Sequence, residues 1–305
     1  MKNKLPNFLI VGAQKSGTTS LYIYLKEHPE VFMPERLKEP RFFVAPIFKK
    51  IDRNQPLWIS FMNNTMFELH DYLKLFEKIQ KEKAIGESTT AYLYYYKVAI
   101  ELIKEYLGDI KIIISLRNPI DRAFSAYLHL RRENFENISF EEALKKENTR
   151  KGLNWVPIYY FTSIGFYYHQ VKAYLDNFDQ VKIVLFDDLK KDTLGLVKDI
   201  YKFLGVNPSF TPDVSVRYNV TGIPKNKFIH KFLKESNILK SIIKPVVKTI
   251  IPQGERRKII EKIKMKNLQK PQMKPETRKY LKNLYREDIL KLQDLIKRDL
   301  SSWLE

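Results

Sequence analysis

A lysine, four hydroxyl side chains and two glycines fall within nine residues near the start of the chain, Gly12-Ala13-Gln14-Lys15-Ser16-Gly17-Thr18-Thr19-Ser20. The apolar run Phe8-Leu9-Ile10-Val11 precedes them and a helical pattern from Leu21 to Lys26 follows. Strand, glycine loop and helix start together make a phosphate site. Gly12 and Gly17 let the backbone approach an anion, and the amides that open the helix point at it. Lys15 adds charge, and Ser16, Thr18, Thr19 and Ser20 add hydroxyl donors. The loop departs from that of nucleoside triphosphatases, which ends in Gly-Lys-Ser/Thr. Here Lys15 stands two residues before Gly17, and Thr18 takes the lysine's place. A phosphorylated donor other than ATP is expected.

A second anion signal is Ser115-Leu116-Arg117-Asn118-Pro119-Ile120-Asp121-Arg122-Ala123-Phe124-Ser125. It follows Lys111–Leu116, an unalternating β-branched run of the kind that parallel sheets bury on both faces. Arg117 leaves the carboxyl end of that strand, where open α/β sheets bind ligands, and Ser125 lies one to two turns into the next helix. Arginine as a two-pronged donor and serine as a hydroxyl donor would clamp another phosphate.

The elements that must carry these groups alternate. Strands are expected at 8–11, 31–33, 84–88, 111–116 and 181–186. Helices are expected from Leu21, over Phe67–Lys81, Tyr92–Leu107, Asp121–Arg132, Ser163–Asn177 and Leu194–Leu204, with 44–66 mostly loop. This predicts an α/β fold, a parallel β-sheet flanked by helices. From Lys227 onward the sequence reads as helix without strands, broken at Pro245, Pro252, Pro271 and Pro275. One domain over 1–305 is expected: an α/β core over 1–226 and a basic helical C-terminal extension over 227–305 packed on it.

The chain has 305 residues, 44% hydrophobic, enough for one large core. It has no cysteine, and its five histidines (28, 70, 129, 169 and 230) have no ligand spacing, so no metal site is expected. Lys225–Lys274 carries 15 Lys and Arg against 3 Glu, which is +12 of the formal +19. Such a stretch attracts anions. The first dozen residues run straight into the glycine loop, and no apolar stretch approaches a signal or membrane segment. The expectation is a cytoplasmic protein that touches a membrane face, if any, through its basic extension.

The two phosphate motifs, taken together, resemble those of the P-loop sulfotransferases, which transfer a sulfuryl group from 3'-phosphoadenosine 5'-phosphosulfate (PAPS). Gln14-Lys15-Ser16-Gly17-Thr18-Thr19 is similar to that family's 5'-phosphosulfate loop, and Arg117 through Ser125 to its 3'-phosphate motif. Lys38-Glu39-Pro40-Arg41-Phe42-Phe43 resembles a segment of the carbohydrate (heparan-type) branch. Arg217-Tyr218-Asn219-Val220-Thr221-Gly222-Ile223-Pro224-Lys225 is similar to the loop that closes over the donor, and Tyr285–Trp303 to the ending of bacterial members. The resemblance implies PAPS as co-substrate, bound by residues 14 to 20, Arg117, Ser125, Arg217, Asn219, Gly222 and Lys225. It implies Lys15 on the departing phosphate and Glu39 as general base, with His129 as the competing base. The acceptor it implies is a carbohydrate or lipid-linked glycan, acidic given the basic extension, and sulfated on a hydroxyl or an amine. Phe42 and Phe43 are expected to raise the Glu39 pKa by burial, and Tyr92, Tyr94, Tyr95 and Tyr96 are candidates to stack on sugars or simply to pack. Two positions depart from the heparan O-sulfotransferase pattern: Ser88 stands where a lysine follows the glutamate, and Arg41 where histidine is usual. Two rival readings are a P-loop kinase or NTPase, with Asp187 and Asp188 ending an apolar strand as magnesium ligands, and a basic module for nucleic acid or membrane surfaces, which leaves both phosphate motifs unexplained.

Overall fold

The computed structural model describes residues 5–215, 222–226, 266–269 and 271–305. Strands β1 (Phe8–Gly12), β2 (Val31–Phe32), β3 (Ala84–Ser88), β4 (Lys111–Leu116) and β5 (Val181–Leu185) form one sheet in the order β2-β3-β1-β4-β5, every pair parallel. The described helices are, in chain order, α1 (Thr18–Lys26), α2 (Ala45–Phe48), α3 (Trp58–Asn63), α4 (Leu69–Lys74), α5 (Ala91–Tyr94), α6 (Tyr96–Leu107), α7 (Pro119–Arg132), α8 (Phe140–Lys145), α9 (Glu147–Gly152), α10 (Tyr168–Asn177), α11 (Phe186–Lys191), α12 (Thr193–Leu204) and α13 (Pro275–Ile296).

Burial on both faces explains why the strands read as unbroken apolar runs. Leu9 and Val11 of β1 join Ile112 and Ile114 in a core covered by α6, α7, α10 and α13, whereas Phe8 and Ile10 join Ile113 in a core covered by α1 and α12. All strands run the same way, so the loops after β1, β3, β4 and β5 open along one edge. The chain leaves β1 for β2 and β3 on one side and returns to β4 and β5 on the other. That reversal is where open α/β sheets hold their ligands.

Several boundaries differ from the sequence expectation. Residues 44–66 contain α2 and α3. The helix expected over Phe67–Lys81 is only α4, because the chain then tightens into three-residue turns (Phe76 N to Leu73 O, 2.9 Å; Ile79 N to Phe76 O, 3.2 Å) that set Phe76 against Phe32 and Tyr72. The helix expected from Ser163 begins at Tyr168, where the Asp288 carboxylate accepts from the Tyr167 and Tyr168 amides (2.7 and 3.2 Å). The region after Lys227 is not strand-free: β7 (Leu268–Gln269) pairs antiparallel with β6 (Ile223–Pro224). Most of the basic stretch, residues 227–265 and 270, lies outside the described residues.

Buried Glu147 fixes the segment that carries Ile158 to the central cavity. Its carboxylate accepts from the Thr162 amide and hydroxyl (2.7 and 2.8 Å) and from the Ser163 amide and hydroxyl (2.8 and 2.6 Å). Glu147→Ala removes the acceptor for two half-buried amides and two hydroxyls and should destabilise the protein by about 3 kcal/mol. Urea unfolding checks this, with a lower midpoint and an unchanged slope as the expected result.

Candidate active site

The loops after β1, β3, β4 and β5 enclose, with α7, a cavity of about 640 Å³. Gln14, Lys15, Gly17, Thr18, Thr19 and Ser20 line it, as do Arg117 and Ser125, so the two anion motifs share one space. Glu39 and His129 line the same cavity.

The loop owes its shape to two glycines. Gly17 precedes α1 at φ +87°, in the left-handed region, and a Cβ there would lie 2.7 Å from a Leu189 methyl and 2.9 Å from the Phe186 ring. A Cβ at Gly12 would lie 2.6 Å from Cβ of Leu93. The N-cap of α1 is Gly17, which offers no side-chain cap, and the first turn of the helix lines the cavity with Thr18, Thr19 and Ser20. The carboxyl end of β4 stitches the loop in place. Ala13 N donates to Ser115 O (2.6 Å), Ser115 Oγ to Ser16 O (2.6 Å), and Arg117 Nη1 to Lys15 O (3.2 Å). The Arg117 guanidinium also lies 4.8 Å from the Phe186 ring centre.

Cations crowd this loop. Burial, together with the Arg132, Arg117 and Lys38 charges, brings the Lys15 ammonium down to about 7. Lys38 bridges the two halves of the site: its Nζ donates to Thr18 Oγ1 (3.3 Å) and to Glu39 Oε1 (3.2 Å).

Glu39 is half-buried, with its side chain 25% exposed, and it sits between Lys38 and Arg41, whose Nη2 is 3.7 Å away. The expectation of a raised pKa is reversed. Burial pushes the carboxyl up, but the Lys38 and Arg41 charges and hydrogen bonds from Lys38 and Thr90 outweigh it and hold the carboxyl below its usual range. Phe42 and Phe43 do not shield it, because their rings turn into the core against Tyr72 and Tyr106. The loop after β3 brackets this carboxylate: Thr90 Oγ1 donates to both Glu39 oxygens (3.4 and 3.3 Å), and Thr89 Oγ1 accepts from Arg41 N (3.3 Å) while donating to Glu87 Oε2 (2.9 Å). Glu87 is fully buried, and burial pushes its carboxyl up to about 8 against hydrogen bonds from Tyr92 and Thr89.

Other expected site residues are placed differently. Ser16 is fully buried and does not line the cavity, so its hydroxyl is not a ligand donor in this geometry. Gly222 and Lys225 belong to the β6–β7 segment (Lys225 N to Asn267 O, 2.6 Å) and do not line the cavity either, while Arg217 and Asn219 lie outside the described residues. Tyr92 is buried, Tyr94 and Tyr95 pack against each other, and neither these nor Tyr96 lines the cavity, so the packing reading holds. Asp187 and Asp188 open α11 and are already engaged: Asp187 accepts from Trp303 Nε1 (3.2 Å) and pairs with Lys190 (2.5 Å), and Arg298 holds Asp188 (3.0 Å). Among the described residues no group of three or more His, Asp or Glu is placed to hold a metal ion, and no helix is long and apolar enough to cross a membrane.

Lys38, Thr90 and Arg132 also reach the site, and no motif in the sequence marks Lys38 or Thr90 for it. Arg132 carried a readable signal, since Ser125, His129 and Arg132 are spaced i, i+4, i+7 on one face of α7.

A parallel sheet with a glycine loop after β1, an arginine leaving β4 and a cavity joining them to a carboxylate is the P-loop-like architecture of the sulfotransferases. Residues 5–294 match the model of the sulfotransferase domain, and the chain belongs to that family. The chain is 32% identical to a sulfotransferase from Alicyclobacillus acidocaldarius, whose crystal structure superposes over 99% of this chain and 100% of that one with a TM-score of 0.74. Two curated relatives are the mouse bifunctional heparan sulfate N-deacetylase/N-sulfotransferase 4, 25% identical over 98% of this chain, and human N-deacetylase/N-sulfotransferase 2, 27% identical over 71%. The chain spans about a third or less of those relatives' own length, 31% and 24%.

Two pH dependences follow. An anion favours the charged form of Lys15, so its binding takes up a proton once pH exceeds about 7. With adenosine 3',5'-bisphosphate as the probe, calorimetric Kd should rise above pH 7 by up to about tenfold per pH unit, and Lys15→Met should flatten the rise. Glu87 is an acid with its folded pKa raised, so it destabilises the fold progressively as pH climbs from its unfolded pKa towards about 8. Glu87→Gln should therefore raise the melting temperature at pH 8 and change it little at pH 4.5.

Proposed function

We propose that the protein transfers the sulfuryl group of PAPS to a hydroxyl or amine of an acidic carbohydrate, free or lipid-linked. The observation that carries this reading is the single cavity that joins the β1 loop, the Arg117–Ser125 arm and the Glu39 carboxylate. A donor with phosphates on both ribose ends needs two anion sites held at a fixed separation. The β1 loop with Lys15 at the opening of α1 and the Arg117–Ser125 arm, both lining one cavity, fit such a donor.

PAPS supplies an activated sulfuryl group whose transfer needs in-line placement and charge stabilisation, with little covalent work from the protein. Lys15, held by the stitch between β1 and β4, neutralises charge on the phosphate oxygen as its bond to sulfur breaks. Glu39 takes the proton from the acceptor as the new sulfur–oxygen or sulfur–nitrogen bond forms. Held ionised by Lys38 and Arg41, it can accept that proton at neutral pH. Likeness to heparan sulfate N-sulfotransferases supports a carbohydrate acceptor, and the charge of +19 supports an acidic one.

Calorimetry tests the donor. Adenosine 3',5'-bisphosphate should bind with micromolar Kd, and Lys15→Ala and Arg117→Ala should each weaken it by about 100-fold. Equal or tighter binding of ATP with magnesium would instead establish the kinase reading. Glu39→Gln should keep bisphosphate binding and lower label transfer from PAPS to acidic polysaccharides by about 10²- to 10⁴-fold.

A further inference from the structure

His129 is the second candidate base in the cavity, and its hydrogen bonding decides what it can do. Its Nδ1 lies 2.9 Å from Nη2 of Arg132, one turn further along α7. A guanidinium has only donors and keeps its charge at any working pH, so the imidazole nitrogen facing it must be the acceptor. Arg132 is itself anchored, with Nε donating to Glu133 Oε1 at 3.0 Å, and its side chain is 14% exposed. A neutral imidazole that accepts at Nδ1 carries its proton on Nε2. Protonating Nδ1 would set two N–H groups against each other and a second positive charge beside the first.

The rest of the cavity pushes the same way. Among the described residues, the charged groups that line it with His129 are Lys15 from the β1 loop, Glu39 and Arg41 from the segment after β2, Arg117 from the turn between β4 and α7, Asp121 from the first turn of α7, and Lys190 from α11. Among these described groups Arg41, Arg117 and Lys190, joined by Lys15 below about pH 7, outnumber the two carboxylates, and a further positive charge on the ring would add to that excess.

We infer that His129 is a neutral Nε2–H donor, held in that tautomer by Arg132, and serves the reacting groups as a hydrogen-bond donor and not as the base. The inference deepens the transferase reading and assigns the proton traffic within it. The acceptor's proton passes to the Glu39 carboxylate, the bond from sulfur to the leaving phosphate oxygen breaks as the bond to the acceptor forms, and His129 keeps its proton throughout. Arg132 is the positioning residue: it faces His129 one turn back on α7, and Glu133, at the helix C-cap, anchors it.

The tautomer is measurable without any substrate, so its failure would be distinct from failure of the transferase reading. Long-range proton–nitrogen correlation spectra of the ¹⁵N-histidine-labelled protein, with the His129 signals assigned through His129→Gln, should show a neutral ring with its proton on Nε2 from pH 5.5 to 8. Arg132→Gln should free the ring to titrate near its ordinary value of about 6.5. Bisphosphate calorimetry confirms that each variant retains the donor site. In transfer assays His129→Gln, which keeps an N–H donor, should retain at least tenfold more activity than His129→Ala, with the acid limb of the pH profile unchanged. An Nδ1–H tautomer, a wild-type ring that titrates between pH 6 and 7, or His129→Gln as inactive as His129→Ala would overturn the inference.

Discussion

The site depends on the stitch between the carboxyl end of β4 and the loop after β1. A loop that buries Lys15 and brings it close to Arg132, Arg117 and Lys38 works against desolvation first and like-charge repulsion second, and together they bring the Lys15 pKa down to about 7. Hydrogen bonds from the Ala13 amide, the Ser115 hydroxyl and the Arg117 guanidinium hold the loop in that state. Because these bonds join neighbouring parallel strands, the sheet itself sets the spacing of the two anion arms. The positive field at the loop is thus assembled by the fold itself, and under the proposed function the donor's anions would meet it preorganised.

Two carboxylates on adjoining segments meet opposite fates, and the difference lies wholly in their neighbours. Glu39 is held ionised by Lys38, Arg41 and Thr90, whereas Glu87, at the end of β3 beneath it, is pushed up to about 8 among buried tyrosines. Thr89 and Thr90 link the two, each hydroxyl serving one carboxylate. Environments that drive paired carboxylates apart are how one fold separates an ionised group from a neutral one. The flanking phenylalanines, which in sequence look like the cause, take no part: their rings belong to the core.

What the sequence makes legible is local. The β1 loop and the Arg117–Ser125 arm declare themselves because strand, turn and helix follow one another within a dozen residues, and each chemical group is fixed by its own turn. Lys38 and Thr90 leave no local signal because they join separate segments: Lys38 ties the segment after β2 to the first turn of α1, and Thr90 ties the loop after β3 to Glu39. The start of α10 escaped because the carboxylate that accepts from its first amides, Asp288, lies more than 100 residues further on. Ser16 was assigned by analogy with its hydroxyl neighbours. A turn through positive φ at Lys15 (67°) and Gly17 (87°) gives successive residues different directions, and Ser16 ends up buried.

The same distinction explains why an apparent magnesium site is a structural joint. Asp187 and Asp188 follow an apolar strand, as catalytic acids often do, yet their partners come from the C-terminal segment: Trp303, Arg298 and, nearer by, Lys190. Asn118, which caps α7 by accepting from Ile120 N at 3.0 Å, donates from Nδ2 to the carbonyl of the same Trp303 at 3.2 Å. Arg278 of α13 pairs with Asp121 one turn on, at 2.5 Å. The helix that carries Ser125, His129 and Arg132 is therefore held at its origin by both a local cap and the C-terminal segment. With that origin fixed, the helical repeat alone sets where the three side chains stand along the cavity.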